Sequence, residues 1–215
     1  MNIIMAPHPP ARSRDRETTE ADIAQYVADT EPLDVLVTGG YLTGTDGRLV
    51  ARKLRAPQLH QALALSVCNA VQPDVEDFYQ EDDEPDTDWR QRGARTVRDH
   101  CTVCPVRAAC AELALRDNDI AGIRGGLLPE ELDRRQQAET TTLANACAED
   151  DRAAKEQWDR IDAAAEVQRL ARQYVGGSVP VAKREDNRLK TGKALRRRDA
   201  LVTAHRLTTG WTEAA

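Results

Sequence analysis

Three cysteines lie close together in the sequence, and a fourth lies well upstream of them. Two residues separate Cys101 from Cys104, five separate Cys104 from Cys110, and Cys68 is the distant member. Closely spaced thiolates joined by one distant thiolate can surround a metal ion or an iron–sulfur cluster. The spacing therefore predicts a site for a metal ion or a cluster.

Three interpretations of these cysteines compete. An iron–sulfur cluster needs four soft ligands, and the Cys-Pro pair that begins at Cys104 is common among ferredoxins. Structural zinc favours two C-x2-C pairs or Cys/His pairs, and only one such pair is present here, with His100 beside it. Inert thiols do not account for three cysteines within ten residues. The spacing favours a cluster over zinc, and zinc remains an alternative.

The composition indicates a small domain with long extensions. The chain has 215 residues, of which 4% are aromatic and 31% are charged, so it has little material for filling a core. It has no apolar run long enough to cross a membrane, and its first ten residues lack the pattern of a secretion signal. We therefore expect a cytoplasmic protein with no membrane contact, in which cysteines stay reduced and bind metal. Cys147 is the fifth, left-over cysteine.

The net charge of −6 conceals a strong asymmetry along the chain. Residues 74–88 are strongly acidic, and we interpret them as a solvated spacer between Cys68 and Cys101. Residues 183–206 are strongly basic, and a basic segment can bind DNA phosphates. The DNA-binding candidates are Lys183, Arg184, Arg188, Lys190, Lys193, Arg196, Arg197 and Arg198.

The hydrophobic pattern predicts mostly helices. Residues 1–18 have no periodicity and are predicted to be disordered. Thr19 is the predicted N-cap of a first helix, with Ile23, Tyr26 and Val27 at helical spacing. The β-prone residues and the turn glycines of residues 33–51 predict a small hairpin.

Further helices are predicted around the cysteines and beyond them. Their expected ranges are residues 57–68, 89–100 and 105–117, then one from residue 129, interrupted at residues 140–142, an alanine-rich helix to residue 175, and a basic C-terminal helix. Glycines at positions 176 and 177 are expected to end the alanine-rich helix. In the second range, Trp89, Ala94 and Val97 are the predicted inward positions.

The order of these motifs resembles the WhiB-like family of actinobacteria and their phages. The resemblance covers residues 60–137: Cys68, Asp-Phe-Tyr, the Cys-x-x-Cys-Pro-Val-Arg-x-x-Cys run and the turn Gly-Ile-Arg-Gly-Gly at residues 122–126. It implies a redox-responsive transcription regulator, not an enzyme. The implied fold is a small helical bundle around one [4Fe–4S] cluster, which is held by Cys68, Cys101, Cys104 and Cys110.

The glycine turn departs from the family pattern at one position. Members usually read Gly-(Val/Ile)-Trp-Gly-Gly, and Arg124 stands here in place of the tryptophan. In several members that tryptophan packs against the primary sigma factor, so we expect weakened sigma-factor binding. The predicted partner-contact residues of the turn are Gly122, Arg124, Gly125 and Gly126.

The predicted organisation is mainly α-helical in three parts. Residues 1–55 form a partly disordered extension, residues 56–140 the iron–sulfur domain, and residues 141–215 a helical, basic extension. Two alternative functions remain. One is thiol–disulfide exchange by the apo form through Cys101 and Cys104, and the other is a zinc-binding adaptor.

Overall fold

The computed structural model describes residues 19–44, 47–175 and 180–209, and these residues are mainly helical, with no strand among them. Their helices are α1 (Glu20–Thr30), α2 (Leu33–Thr38), α3 (Gly47–Lys53), α4 (Ala56–Leu63), α5 (Val67–Val71), α6 (Asp86–Thr96), α7 (Arg107–Arg116), α8 (Pro129–Val175) and α9 (Val181–Thr208). A 3₁₀ turn over Val75–Phe78 precedes α6, and a π-helical turn over Val97–Cys101 follows it. The mainly α fold class is thus confirmed.

The chain divides into two compact units, Met1–Ala146 and Cys147–Ala215. The predicted three-part boundaries at residues 55 and 140 stay predictions. The predicted disordered lead at residues 1–18 and the helix-ending glycines at 176 and 177 lie outside the described residues.

Helix α1 begins where the sequence predicts, but it buries a different face. Thr19 and Asp22 form the capping box, in which each side chain accepts from the other residue's backbone N–H. Ile23 and Tyr26 are exposed, whereas Ala24 and Ala28 are buried. α1 packs on α3, which in turn packs on α7. The small alanine side chains let the backbones of these helices come close. Of the predicted stripe, only Val27 packs in part against this core.

The predicted hairpin over residues 33–51 is wrong, because this stretch forms α2 and α3. Leu36 and Val37 are buried together with Leu42 and Val50 in a core that α7 completes. Leu33, Leu36 and Val37 share one face of a helix, and burial of that face outweighs the local β-propensity.

The helices around the cysteines differ in detail from their predicted ranges. The predicted helix over residues 57–68 breaks after α4, and Ser66 caps α5 by accepting from the backbone N–H of Asn69. Cys68 therefore lies in the first turn of α5 and not at the end of a longer helix. In α6, Trp89 is buried as predicted, but Gly93 and Thr96 are buried where Ala94 was expected. Helix α8 continues through residues 140–142 without the predicted interruption.

A buried ionic network joins α3, α7 and α8 within the first unit. Glu112, only 1% exposed, accepts a hydrogen bond from Nε of Arg116 at 3.0 Å and lies 3.9 Å from Nη2 of Arg135. Glu139 pairs with Arg135 at 3.2 Å and with Arg52 of α3. Because each of these carboxylates faces arginines from more than one position, the network fixes α7 in its place, and α7 carries one of the cysteines.

Candidate functional site

All four predicted ligand cysteines line one cavity of about 470 Å³. Cys68 comes from α5, Cys101 from the end of the π-helical turn, Cys104 from the following loop and Cys110 from α7. All four are free thiols, and the remaining cysteine, Cys147 in α8, is not among the residues that line this cavity. The fold therefore brings the distant cysteine to the three clustered ones.

Local backbone hydrogen bonds position the clustered cysteines at the cavity. The backbone N–H of Thr102 donates to the carbonyl of Val97 at 2.8 Å, which closes the wide π-helical turn and ends it at Cys101. The N–H of Cys104 donates to the carbonyl of Cys101 at 3.2 Å, so the chain turns sharply between the two thiols. Helix α7 then begins, and its first turns carry Cys110 back to the cavity.

The predicted glycine turn is a tight hairpin turn that packs on α7. Arg124 and Leu127 exchange backbone hydrogen bonds of 3.1 and 3.0 Å around it. Gly125 and Gly126 both have positive φ, +56° and +76°, as a two-residue type I′ turn requires. A Cβ on Gly125 would lie 2.4 Å from the carbonyl oxygen of Arg107. Glycine is needed at this position for both conformation and space.

The two glycines direct their backbone N–H groups at the thiols. Gly125 donates to Sγ of Cys110 at 3.2 Å, and the backbone of Gly126 acts on Cys101 to lower the pKa of its thiol. Nε of Arg107 donates to the carbonyl of Gly125 at 3.1 Å, which holds the turn in register. Donors placed in this way stabilise negative charge on the sulfur atoms.

Burial raises the pKa of these thiols. It raises the pKa of Cys101 and of Cys110 to about 11 each, and repulsion from neighbouring cysteines adds to the effect. The pKa of Cys68 is raised by burial and then by repulsion from Cys104. The glycine N–H donors act in the opposite direction on Cys101 and Cys110. Four ionised thiolates this close together need bound cations to balance their charge.

Arg124 is held within the chain and lines the same cavity. Its Nε donates to Oδ2 of Asp119 at 2.8 Å, and its guanidinium lies 5.3 Å from the centre of the Tyr79 ring. Another of its nitrogens donates to the Tyr79 hydroxyl. Arg124 is therefore not simply solvated: its side chain is 21% exposed, and its charge is balanced by Asp119.

The acidic spacer supplies one wall of the cavity. Phe78, in its 3₁₀ turn, is buried, and its carbonyl accepts from the N–H of Ile123 at 2.9 Å. Arg92 of α6 binds Glu84 of the spacer in a two-pronged contact and also donates to the carbonyl of Tyr79 at 2.8 Å. The spacer is thus folded against α6 in part, and not entirely solvated as predicted.

Three residues near the thiols were not predicted as site residues. They are Arg107, Tyr79 and Asp119, and all three line the cavity. Arg107 stands inside the Cys-Pro-Val-Arg motif, which is a signal that the sequence does carry. Nothing in the sequence pairs Asp119 with Arg124 and Tyr79, because their juxtaposition depends on how the glycine turn folds back.

A compact site for a single metal ion was not found in the described part of the chain. There, no three His, Cys, Asp or Glu side chains converge closely enough to hold one ion. The helices of the described residues also include none that is long and apolar enough to cross a membrane.

The predicted basic segment is helix α9. Seven of its eight predicted DNA-binding residues are exposed, and Arg198 is half-buried. Several of the eight are paired with carboxylates, through the pairs Arg188–Glu185, Lys190–Asp186, Arg197–Asp162 and Arg198–Asp199. In the described part of the chain, Lys183, Lys193 and Arg196 make no ion pair. They are therefore the cations of this set most available to an external anion.

A helical domain with four thiols around one cavity has the donor atoms to hold a metal ion or a cluster. Residues 64–137 match the family model "Transcription factor WhiB", which confirms the predicted resemblance over this segment. The family consists of transcription regulators. Neither the curated proteins nor the solved structures contain a match to this chain.

Proposed function

We propose that this protein is a redox-responsive transcription regulator of the cytoplasm. In this proposal Cys68, Cys101, Cys104 and Cys110 hold one [4Fe–4S] cluster, and basic residues of α9 contact DNA. The observation that carries the proposal is the convergence of these four thiols, from separate elements, on one cavity of about 470 Å³. The match of residues 64–137 to a transcription-factor family supports the regulatory role.

The donor set suits a cluster better than a single ion. All four ligands are sulfur, which iron–sulfur clusters require, and in a cluster each thiolate binds a different iron atom. Ligands arranged in this way need not surround one point, which agrees with the spread of the four thiols in the described residues. When bound, a [4Fe–4S] cluster supplies one-electron redox chemistry and sensitivity to oxidants.

The residues around the thiols have distinct tasks in this proposal. The N–H of Gly125 donates to Sγ of Cys110, and the backbone of Gly126 favours the ionised form of Cys101, so both stabilise negative charge on ligand sulfurs. Arg107 and Arg124 line the cavity as cations and lower the cost of gathering four thiolates. Phe78 and Ile123 limit the access of water from their side of the cavity.

Thiol–disulfide exchange is the weaker alternative. Dithiols that exchange rapidly have a lowered thiol pKa, because the thiolate is the attacking species. Here burial raises the pKa of Cys101 to about 11, so little of the Cys101 thiol is ionised at neutral pH. A zinc-binding adaptor remains the other alternative, and metal analysis separates it from the cluster.

Contact with DNA is proposed for the exposed face of α9. Cations on this helix would release counterions from DNA phosphates, which makes binding weaken steeply with salt. Lys183, Lys193 and Arg196 are the strongest candidates, because four of the other predicted residues already pair with carboxylates. Binding to a sigma factor is proposed to be weak, since Arg124 is engaged by Asp119 and Tyr79.

The decisive experiment is anaerobic purification of the full chain, followed by iron and sulfide analysis. About four iron and four sulfide per chain are expected, with the broad visible absorption of a cluster. Stoichiometric zinc, or no metal, would overturn the cofactor assignment. Each ligand cysteine is then replaced by alanine, with Cys147→Ala as the matched control. Loss of iron is expected for the four variants and full retention for the control.

A further inference from the structure

Helix α8 has a second apolar face within the Cys147–Ala215 unit, opposite the one that packs on α9. Ala163 and Leu170 are buried on the inner side, together with Ala194 of α9. Trp158 is 69% exposed and Ile161 is 48% exposed. Positions 158 and 161 point away from positions 163 and 170 on a helix of 3.6 residues per turn. The outer face is therefore not used by the packing of this unit.

The outer face has the spacing of a helix-pairing seam. Ala154, Trp158, Ile161 and Ala165 follow one another at intervals of four, three and four residues, and all are exposed. This alternation keeps side chains on one stripe that can face a partner helix. The two alanines at its ends let another backbone come close and leave room for the indole ring of Trp158. A large exposed aromatic on such a stripe is typical of an interaction surface.

The charges along the same helix indicate which partner fits. The first end of the seam is net acidic, with Glu149, Asp150 and Asp151 against Arg152 and Lys155. The other end is net basic, with Arg169 and Arg172 against Glu166, which pairs with Arg169. A second copy running in the opposite direction would bring the acidic end of each helix to the basic end of the other. A parallel copy would bring like charges together, which is unfavourable. The net charges at the two ends of the seam therefore favour the antiparallel orientation.

We infer that α8 forms an antiparallel homodimer seam through Trp158 and Ile161. A two-fold axis between residues 159 and 160 would place Trp158 against Ile161 of the second copy, and Ala154 against Ala165. The large residues would then pack at the centre of the seam, and the alanines would pack towards its ends. Opposite charges would meet beyond the alanines. The same patch serves both copies, as a two-fold interface requires.

The dimer would present two copies of the basic helix α9 in one particle. Two-fold symmetric regulators match two-fold symmetric DNA sites, with one half-site for each copy. The seam contains none of the four candidate ligand cysteines. The inferred dimer therefore does not depend on the proposed cluster, and an experiment can disprove either one without affecting the other.

The first test measures the oligomeric state of the full chain by sedimentation equilibrium over a range of concentrations. The wild type is expected to dimerise, and Trp158→Glu is expected to weaken the dimer by about tenfold or more. Leu207→Glu is the matched control, because Leu207 on α9 is also 69% exposed but lies off the seam. Circular dichroism checks that both variants keep their helicity. A monomeric wild type, or equal effects of the two substitutions, would overturn the inference.

The second test determines the orientation of the two helices by charge reversal. At low salt, Asp151→Arg and Arg172→Asp should each weaken the dimer, because each places like charges together in the antiparallel arrangement. The double variant restores opposite charges at both ends and should recover most of the affinity. A double variant that stays as weak as the single ones would exclude the antiparallel seam.

Discussion

The backbone N–H of Gly125 donates a hydrogen bond to Sγ of Cys110 at 3.2 Å, although the two residues are 15 positions apart in the chain. The contact exists because the glycine turn packs directly on α7. It links the two most recognisable motifs of the sequence, the cysteine run and the glycine turn, in one structural unit. The turn is thus part of the cysteine site as well as a candidate partner surface.

Replacement of Gly125 by alanine should loosen the cysteine site. The new Cβ would lie 2.6 Å from Cβ of Ala111 and even closer to the carbonyl of Arg107, and φ is positive at this position. We expect the free energy of unfolding to fall by about 1–3 kcal/mol from overpacking alone, with faster loss of iron. Chemical denaturation and visible absorption measure the two effects.

Gly44→Ala is the matched control for the glycine turn. Gly44 also has a positive φ, +64°, but a Cβ there would meet no atom within 4 Å. It should therefore show only the conformational cost of about 1 kcal/mol and normal iron retention. Equal iron loss in the two variants would mean that the packing of the turn on α7 does not support the site.

Replacement of Arg124 by tryptophan should strengthen binding to the primary sigma factor. The substitution restores the residue that the family uses as an apolar contact and removes a cation that Asp119 and Tyr79 now hold. An increase of about tenfold, or 1.4 kcal/mol, is expected in a binding titration. Arg95→Trp on α6 is the control for nonspecific attraction by an added indole. Tight wild-type binding that survives Arg124→Ala would contradict the prediction.

Loss of the proposed cluster in air should lead to a disulfide between Cys101 and Cys104. The sulfur–sulfur bond forms as two thiols give two electrons and two protons to dioxygen, which becomes hydrogen peroxide. Peptide mass spectrometry should find the two residues linked, with a mass lower by two hydrogens. Helicity should fall as well, because the ligands no longer join α5 and α7. Free thiols and unchanged helicity after complete iron loss would be the opposite result.

Replacement of Glu112 by glutamine should destabilise the first unit strongly. Glu112 is buried beside Arg116, and its loss leaves that guanidinium without its carboxylate partner. Removal of one member of a buried ion pair typically costs about 3–5 kcal/mol. Glu166→Gln is the control, because Glu166 pairs with Arg169 near the surface and little change is expected. Thermal unfolding measures the loss of stability in both variants. A similarly small fall in the unfolding temperature of both would contradict a stabilising buried network.

Removal of Lys193 and Arg196 together should weaken binding to duplex DNA. If each contacts one phosphate, the slope of log K against log salt should fall by about 1.8. The control is the pair Arg152→Ala and Lys155→Ala on α8, which removes the same charge from another helix. Truncation after Pro180 should abolish DNA binding altogether. Equal losses from the two double variants would indicate a general charge effect without a binding face on α9.

The sequence alone was enough to predict the helical class and the resemblance to a known family. Cysteine spacing and the glycine turn were enough to identify the family, which the match over residues 64–137 confirmed. Helix caps are also local features. The sequence therefore predicted Thr19 as the N-cap of α1 and a start of α7 near Pro105. The helix caps, the three clustered cysteines and the glycine turn each depend on residues within a few positions of one another. Such local interactions can be recognised directly in a sequence.

Tertiary packing determined the features that local secondary-structure propensity does not predict. Residues 33–51 became helices because Leu36 and Val37 could be buried against α7, and α1 turned its alanines inward for the same reason. Arg124 reached Tyr79, and Gly125 reached Cys110, only because the turn folds back on distant elements. Such contacts join residues far apart in the chain. Their energy depends on the complete set of packed surfaces, which no short stretch of sequence contains.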